Sequence, residues 1–441
     1  MGSIADVSPV PDEPARTGRL GRQVARIAID ITPLRVSRDF RRLWLGLLVS
    51  ELGYHFTVVA TFVQIFELTG STAATGLVGL FGLAAIVIGT LAGGTFIDAT
   101  DRRTTLLASQ LAFCVGSGLL LAGALRGEPS VWVVYGGVSI IAGVSAIDSS
   151  VRHAITPRLV GRELLPSALA LNQVVWNATA LLGPAIAGIV IARFGLAWAY
   201  GFDVISYLAM FAVALTLRPV PPEPTDEPRT GWKAVTRGFT YLRDQRVVRG
   251  ALSADVVAMV FGMPRALFPI LAVTQFERGP ETVGMLFAAP AVGALLGALS
   301  GGWVRRVEHQ GRAVLWAVAA WGASIAAFGL AGTRLTVALV MLAVAGGADV
   351  ISAIFRGTII QLSVPDALRG RLSSLNYLVV AGGPRLGDLR AGLAAAAFSP
   401  TVSVVSGGLL CIVGAGVVAL VAPSLVRYRA SSRPPVPADP A

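Results

Sequence analysis

Apolar segments long enough to cross a lipid bilayer recur twelve times along this chain of 441 residues. A helix needs about 20 consecutive apolar residues to span the hydrocarbon core. Because lipid offers no hydrogen-bond partners to the backbone, each segment is predicted to form an α-helix. The predicted spans are 40–67, 75–98, 104–126, 131–155, 168–194, 197–217, 250–273, 281–304, 311–332, 335–361, 372–399 and 403–426. This pattern predicts an all-α integral membrane protein with twelve transmembrane helices.

The composition excludes a soluble globular domain. Only 14% of the residues are charged and 54% are hydrophobic, whereas an average soluble domain has about 25% charged residues. A soluble fold of this length would need far more polar surface to face water.

The predicted spans fall into two groups of six, separated by the longest internal polar stretch. The first part of that stretch is rich in proline and is not expected to be helical. Its second part, Trp232 to Val248, has apolar residues at helical spacing among basic ones, which predicts an amphipathic helix on the inner membrane surface. The predicted division is a disordered cytoplasmic N-terminus (1–39), an N-terminal six-helix bundle (40–217), a cytoplasmic linker (218–249), a C-terminal six-helix bundle (250–426) and a cytoplasmic tail (427–441).

The basic residues predict the orientation of the chain. The net charge is +11, with 36 Lys and Arg residues, a balance that can also indicate nucleic-acid binding. Here the basic residues are scattered between apolar runs, so we expect no nucleic-acid partner. If the N-terminus is inside, the cytoplasmic segments hold 27 of them, the outside loops four and the predicted spans five. The positive-inside rule then predicts a multi-pass protein of the cell membrane with both termini cytoplasmic.

Several functional classes lack the motifs that they need. No phosphate-binding loop of the Gly-x-x-x-x-Gly-Lys-Ser/Thr type is present, so we expect an ion or substrate gradient, not ATP, to supply energy. The three histidines are dispersed, and Cys114 and Cys411 lie far apart in apolar segments. We therefore predict no metal site, no cofactor and no disulfide. An intramembrane enzyme would need a nucleophile–base pair or a His-Glu-x-x-His motif, and a sensor or scaffold would leave the charges inside the spans unexplained.

One loop of the sequence carries a motif that indicates a membrane transporter. Between the second and third predicted spans the sequence reads Gly-Thr-Phe-Ile-Asp-Ala-Thr-Asp-Arg-Arg. It resembles the signature loop of the major facilitator superfamily, Gly-x-Leu-Ala-Asp-Arg-x-Gly-Arg-Arg. The matching residues are Gly94, Asp98, Arg102 and Arg103, whereas Ala99 and Asp101 depart from the pattern. The resemblance implies a carboxylate beside a tight basic turn, which holds one conformation closed at the inner face.

The fifth predicted span carries a second motif. Gly183, Pro184 and Gly188 resemble the Gly-Pro-x-x-Gly-Gly motif of the antiporter branch of the superfamily, with Ala187 in place of one glycine. Proline removes a backbone hydrogen bond and small residues allow close packing. The motif predicts a bend used in rocking between inward and outward states, or else plain close packing of helices.

Short segments narrow the resemblance to the enterobactin-exporter group of the superfamily. They are Phe40-Arg41 with Val63-Gln64-Ile65, Thr156-Pro157 with Gly161-Arg162-Glu163, Arg265 to Pro269, Gly370-Arg371, and Gly387-Asp388 with Gly392. The likeness covers roughly 40–425. It implies a monomeric secondary transporter that works by alternating access and exports a siderophore-like or drug-like small molecule in exchange for protons. A multidrug efflux pump of broad specificity and an importer of the same fold remain alternatives.

Ionisable residues inside the spans are functional candidates, because each is costly to place in lipid. In the superfamily, spans one, four, seven and ten line the central cavity. The residues of this kind in those spans are Glu51 and His55, Asp148 and Arg152, Asp255 and Arg265, and Asp349 and Arg356. Glu51 and His55 are four residues apart and share a helix face, so they are candidates for proton coupling, or for a structural hydrogen bond.

Spacing predicts several pairs among these charges. Asp148 and Arg152 are four residues apart, and Asp349 and Arg356 are seven apart, so each pair shares a helix face. Such pairs would be gates or static struts. Arg265 is the most isolated charge and is the candidate for binding an anionic substrate group, and prolines beside it are expected to break span seven. In span eleven, Arg385 and Asp388 are three apart and are predicted to pair.

Overall fold

The computed structural model describes residues 30–127, 129–221, 242, 245–363 and 366–429, with the side chains of 93–99, 305 and 366–378 left out. Most of these residues are helical, and no strand occurs among them. The helices are α1 (Thr32–Val36), α2 (Arg38–Thr69), α3 (Thr72–Ala99), α4 (Arg102–Leu125), α5 (Val131–Phe194), α6 (Leu196–Thr216), α7 (Arg246–Gly262), α8 (Phe268–Thr274), α9 (Pro280–Leu299), α10 (Gln310–Gly329), α11 (Leu335–Ser363), α12 (Asp366–Ala397), α13 (Pro400–Val421) and α14 (Pro423–Val426).

Within the described ranges, ten helical segments are long and apolar enough to cross a membrane. One of them, α5, has 64 residues, about three times the length of a single crossing. It carries the fourth and fifth predicted spans end to end. The structure does not describe the side chains of residues 366–378 in α12. The count of twelve spans therefore stays a prediction.

Gly161 divides α5 into two helices, one for each of these predicted spans. Its backbone angles, φ 76° and ψ 171°, are non-helical and interrupt α5. This region of backbone space is accessible almost only to glycine. Helix continues on both sides of Gly161, where a loop between the predicted spans was expected, so the chain turns at a single residue.

The predicted break in the seventh span is confirmed. α7 ends at Gly262, a short 3-10 helix covers Arg265–Leu267, and α8 begins at Phe268. Pro264 and Pro269 have no backbone N–H to donate to a helix. The interruption brings Arg265 to the wall of the interior.

The chain is ordered earlier than the sequence predicts. Residues 1–39 were expected to be disordered, but α1 covers Thr32–Val36 and α2 begins at Arg38. Ser37 caps α2, because its Oγ accepts a hydrogen bond from the backbone N–H of Phe40 at 3.2 Å. Such a cap satisfies one of the free N–H groups at the start of a helix. The prediction is therefore wrong for residues 32–39, and residues 1–29 lie outside the described part.

The linker and the tail fall largely outside the described residues. The predicted amphipathic helix from Trp232 to Val248 is described only at residues 242 and 245–248, and the predicted tail only as far as residue 429. α7 starts at Arg246, inside the segment predicted as linker. The two predicted helix groups and their boundaries stay predictions.

Two helix pairs provide most of the contact between the first and second halves of the chain. α3 packs along α12, and α5 packs along α9. Within the first half, α2 and α4 each pack against α5 and α6; within the second half, α11 packs against α9 and α10, and α13 packs against α10. Large apolar side chains such as Leu299, Trp316 and Leu420 face outward, as lipid-facing positions require. In this arrangement the two halves of the chain face each other across the middle of the molecule.

Candidate functional site

A cavity of about 470 Å³ lies in the middle of the molecule, with walls from both halves of the chain. Its size is in the range of small-molecule sites. Much of the wall is aromatic or aliphatic, with Phe62, Trp176, Phe268, Phe287 and Trp321 among the large side chains. Polar groups stand at separate points: Tyr54, His55, Thr57, Thr61, Gln173, Asn177, Arg265, Asp349, Arg385 and Asp388. An apolar chamber with few polar groups is suited to an amphipathic molecule.

The strongest polar feature of the wall is an ion pair between the break after α7 and the middle of α12. Arg265 Nη2 donates to Asp388 Oδ2 at 2.6 Å, and Nε lies 3.4 Å from Oδ1. A two-pronged contact of this kind is the strongest geometry for arginine and a carboxylate. Asp388 is 2% exposed, but the Arg265 side chain is 29% exposed. One side of the guanidinium therefore remains open to the cavity.

Two sequence predictions are corrected here. Arg265 is not isolated, and Asp388 pairs with Arg265 instead of Arg385. Arg385 donates to the backbone carbonyl of Ala381 at 2.6 Å. The physical reason is that the break at Pro264 turns the Arg265 backbone towards α12, where a buried carboxylate needs a cation. Spacing along a single helix does not contain this information.

Arg356 forms a second interhelical ion pair, but with Asp255 and not with the predicted partner. Its Nη1 donates to Asp255 Oδ1 on α7 at 2.8 Å and to Ser352 Oγ at 3.1 Å. The prediction that pairs Arg356 with Asp349 is wrong, because the buried Asp255 of the neighbouring helix competes successfully for the guanidinium. Asp349 instead faces the cavity, and in the described part of the chain it forms no salt bridge. Asp255 and Arg356 do not line the cavity.

The third pair forms as its spacing predicts. Arg152 Nε donates to Asp148 Oδ2 at 2.5 Å. The other carboxylate oxygen accepts a hydrogen bond from Gln110 Nε2 on α4 at 2.8 Å. Both charges are mostly buried and lie outside the cavity wall, so the pair joins α4 to α5.

Glu51 and His55 occupy adjacent turns of α2. His55 lines the cavity, whereas Glu51 does not line it and lies within electrostatic reach of the Asp148–Arg152 pair. Among the described contacts, neither residue forms a hydrogen bond or salt bridge with the other. The predicted shared face is consistent with this placement, and the alternative of a Glu–His hydrogen bond does not occur here.

Asp203 is a buried carboxylate absent from the sequence candidates. It lies in α6, is 0% exposed, and accepts hydrogen bonds from Thr57 on α2 and Ser117 on α4. Span six is not among the four spans that line the cavity in the superfamily, so it was not considered. The available signal was a single carboxylate within the apolar segment 197–217.

The two motifs are described in part. Gly94 and Asp98 lie outside the residues with described side chains, so the carboxylate of the signature loop is not described. Arg103 donates to the carbonyls of Ala214 and Leu215, at 3.1 and 2.6 Å. These are among the last carbonyls of α6, which lack partners inside the helix. Arg102 is buried at the same turn, so the basic turn is anchored to the end of α6.

Gly183 and Gly188 are packing positions on α5. A Cβ at Gly183 would lie 2.6 Å from Cβ of His55, and one at Gly188 would meet the backbone of α9. Pro184 lines the cavity. Both interpretations of the motif require such close packing, so the geometry leaves the choice between bend and plain packing open.

Within the described residues no group of three or more His, Cys, Asp or Glu side chains could hold a metal ion. Cys411 is buried and Cys114 is half-buried, and both are free thiols.

Solved structures with the same fold are membrane transporters. A bacterial homologue of the iron transporter ferroportin has a TM-score of 0.66 at 16% identity, covering 89% of this chain and 99% of that one. A nucleoside transporter has a TM-score of 0.67 at 13% identity, covering 87% and 98%. These likenesses define the fold class of this chain, an all-helical, multi-pass membrane fold that is shared with these transporters.

The particular family follows from the sequence comparisons. The model of the transmembrane secretion effector family matches residues 29–436, and the chain belongs to that family. Its curated relatives include the enterobactin exporters of Citrobacter koseri and Shigella boydii. The first is 29% identical over 418 residues, covering 93% of this chain and 97% of the relative. The second is 29% identical over 411 residues, covering 91% and 96%. The resemblance to the enterobactin-exporter group is thus confirmed.

Proposed function

We propose that this protein is a proton-coupled exporter of a siderophore-like or drug-like small molecule and works by alternating access in the cell membrane. The observation that carries the proposal is the central cavity, built from both halves of the chain around a partly open arginine. The full-length likeness to enterobactin exporters supports export and an anionic, aromatic substrate. The bias of basic residues supports cytoplasmic termini, and we propose a monomer.

Substrate binding is proposed at Arg265. Its guanidinium contacts Asp388 on one side and faces the cavity on the other. A catecholate or carboxylate of the substrate would compete with Asp388 for the same N–H donors, since arginine binds planar anions through two parallel hydrogen bonds. The aromatic wall around Phe268 and Phe287 would hold the apolar part. Binding would then weaken the link between the α7–α8 break and α12 and favour a change of state.

Proton coupling is proposed at Glu51 and His55. Glu51 forms no salt bridge within the described residues, so it can gain or lose a proton without breaking an ion pair. His55, one turn away, lies at the cavity wall and is suited to relay the proton. The Asp148–Arg152 pair beside Glu51 would sense its change of charge, and we propose that pair as a gate or a strut of α5.

The test is transport by purified protein in liposomes with an imposed pH gradient. With enterobactin as probe, we expect substrate flux coupled to proton movement in the opposite direction. Glu51→Gln should bind enterobactin normally but lose the response to the gradient. Glu51→Asp, which keeps an ionisable group, is the matched control and should retain coupling.

The outcomes separate the alternatives. Flux that does not respond to a pH gradient in either direction contradicts proton antiport. Flux that runs with the gradient, so that both species enter together, supports an importer. Equal transport of enterobactin and the aromatic cation ethidium would favour a multidrug pump. The apolar and aromatic wall of the cavity is the observation that supports this alternative.

A further inference from the structure

A buried carboxylate in α6 forms a polar site between three helices. Oδ2 of Asp203 accepts hydrogen bonds from Thr57 Oγ1 on α2 at 2.5 Å and from Ser117 Oγ on α4 at 2.6 Å. Oδ1 lies 3.5 Å from Ser206 Oγ, which donates its own proton to the Asp203 carbonyl at 2.7 Å. Asp203, Ser117 and Ser206 are each 0% exposed. These three side chains are therefore fully enclosed by protein.

Among the side chains that the structure describes, this carboxylate has no cation beside it. Asp148, Asp255 and Asp388 each form a salt bridge with an arginine, but no described basic side chain lies within salt-bridge distance of Asp203. The titratable groups that face it are Glu51 from α2, Cys114 from α4, and Tyr200 and Tyr207 from α6 itself. None of these is a cation, and Glu51 is a second carboxylate. An ionised carboxylate without a neighbouring cation is very costly in such a place, so the group takes up a proton and becomes neutral.

One residue connects this site to the cavity. Thr57 lines the cavity and also donates its hydroxyl proton to Asp203. At the preceding turn, a Cβ at Gly53 would lie 2.6 Å from Asp203 Oδ1, so α2 and α6 are in close contact here. A shift of α2 along α6 would pull the Thr57 hydroxyl away and admit water to the carboxyl group.

We propose that Asp203 is a second proton-binding site of the transport cycle, separate from Glu51 and His55. With α2 packed on α6 as observed, the carboxyl group holds a proton on Oδ1 opposite Ser206. When the cavity changes state and Thr57 moves away, the O–H bond breaks, the proton passes to water and the carboxylate remains in a hydrated site. The transport part of this proposal rests on the proposed proton coupling; the protonation of Asp203 does not.

Infrared spectroscopy of the purified full-length protein tests the protonation directly. A protonated carboxylic acid has a C=O stretching band that an ionised carboxylate lacks. We expect Asp203→Asn to remove part of this band at neutral pH. The double variant Asp255→Asn/Arg356→Gln is the matched control and should leave the band unchanged, because it removes a carboxylate that is ionised beside Arg356 and leaves no unpaired charge. An identical band in wild type and Asp203→Asn would overturn the proposal.

Transport tests the functional part. In liposomes with enterobactin as probe, Asp203→Asn should release fewer protons per exported molecule than wild type. Asparagine keeps the shape and accepts the same hydroxyl donors, so folding should be retained. Thr57→Val should alter the pH at which the infrared band disappears, whereas Thr57→Ser keeps the hydroxyl and should not. A wild-type proton ratio in Asp203→Asn contradicts this proposal alone, whereas a wild-type protein without any response to a pH gradient contradicts the proposed function.

Discussion

In the part of the chain that the structure describes, buried charges are paired across helices more often than along them. Asp255 and Asp388 each contact an arginine on another element, whereas Asp148 pairs with a neighbour on its own helix. Removing one partner of a buried ion pair leaves an uncompensated charge, which costs about 3–5 kcal/mol. At the residue scale, these pairs therefore decide which helices remain attached and which can separate.

The Asp255–Arg356 pair is predicted to be a strut that holds α7 to α11. Arg356→Gln should lower the free energy of unfolding by about 3–5 kcal/mol, because Asp255 is left buried and unpaired. The double variant Asp255→Asn/Arg356→Gln should recover most of this loss. Thermal unfolding of the purified protein in detergent measures both. Equal destabilisation in the single and double variants would show that the two charges are not coupled.

Arg265 is predicted to discriminate between anionic and cationic ligands. Arg265→Lys keeps the positive charge but not the two parallel donors, so binding of a catecholate probe should weaken by about tenfold, the value of one charge-assisted hydrogen bond. Binding of ethidium, a cation, should not weaken. Ligand titration by isothermal calorimetry provides the comparison, and equal loss for both probes would place Arg265 in a purely structural role.

At the scale of elements, α5 packs closely against two neighbouring helices at two of its glycines. Gly183 meets His55 of α2, and Gly188 meets α9 of the other half. A single α5 thus contacts both the proposed proton site and the second half of the chain. Rocking of the two halves must slide along the Gly188–α9 contact, where small residues allow the backbones to approach, whereas the Gly183–His55 contact lies within the first half.

Gly183→Ala is predicted to slow transport. The added methyl group would overlap His55 and push α2 away from α5. Gly118→Ala is the matched control, because that helical glycine has open space around it. Initial rates of enterobactin efflux in liposomes should fall several-fold for Gly183→Ala and stay at the wild-type value for Gly118→Ala. Unchanged rates in both would mean that the α2–α5 contact adapts without effect on transport.

At the scale of the whole molecule, large apolar side chains face outward, and the interior holds a few charged side chains within an apolar core. The apolar outer surface differs from that of a soluble protein, because lipid is the solvent there. The topology predicted from the basic residues can be tested at the two ends of α10 (Gln310–Gly329). Arg312 lies at its predicted inner end and Arg334 beyond its predicted outer end, and both are exposed.

Cysteine labelling should distinguish these two ends. In a background with Cys114→Ser and Cys411→Ala, a membrane-impermeant maleimide should label Arg334→Cys in intact cells. Arg312→Cys should be labelled only after the membrane is permeabilised. The opposite pattern would contradict cytoplasmic termini, since both sites flank the same helix.

The sequence by itself determined the class of protein, the positions of most helices and the break in span seven. These depend on local properties: hydrophobic length, proline and charge bias. It also predicted the Asp148–Arg152 pair, because residues four apart on one helix are neighbours wherever the helix lies.

Only the tertiary structure decided the partners of Arg265 and Arg356 and revealed Asp203. These contacts depend on which faces of distant helices pack together. The energy of a buried charge is determined by the groups that this packing places beside it, and not by spacing along the chain. Arg265 and Asp388 are 123 residues apart, and Thr57 and Asp203 are 146 apart. Helix formation is local, but the compensation of charge inside a membrane protein is not.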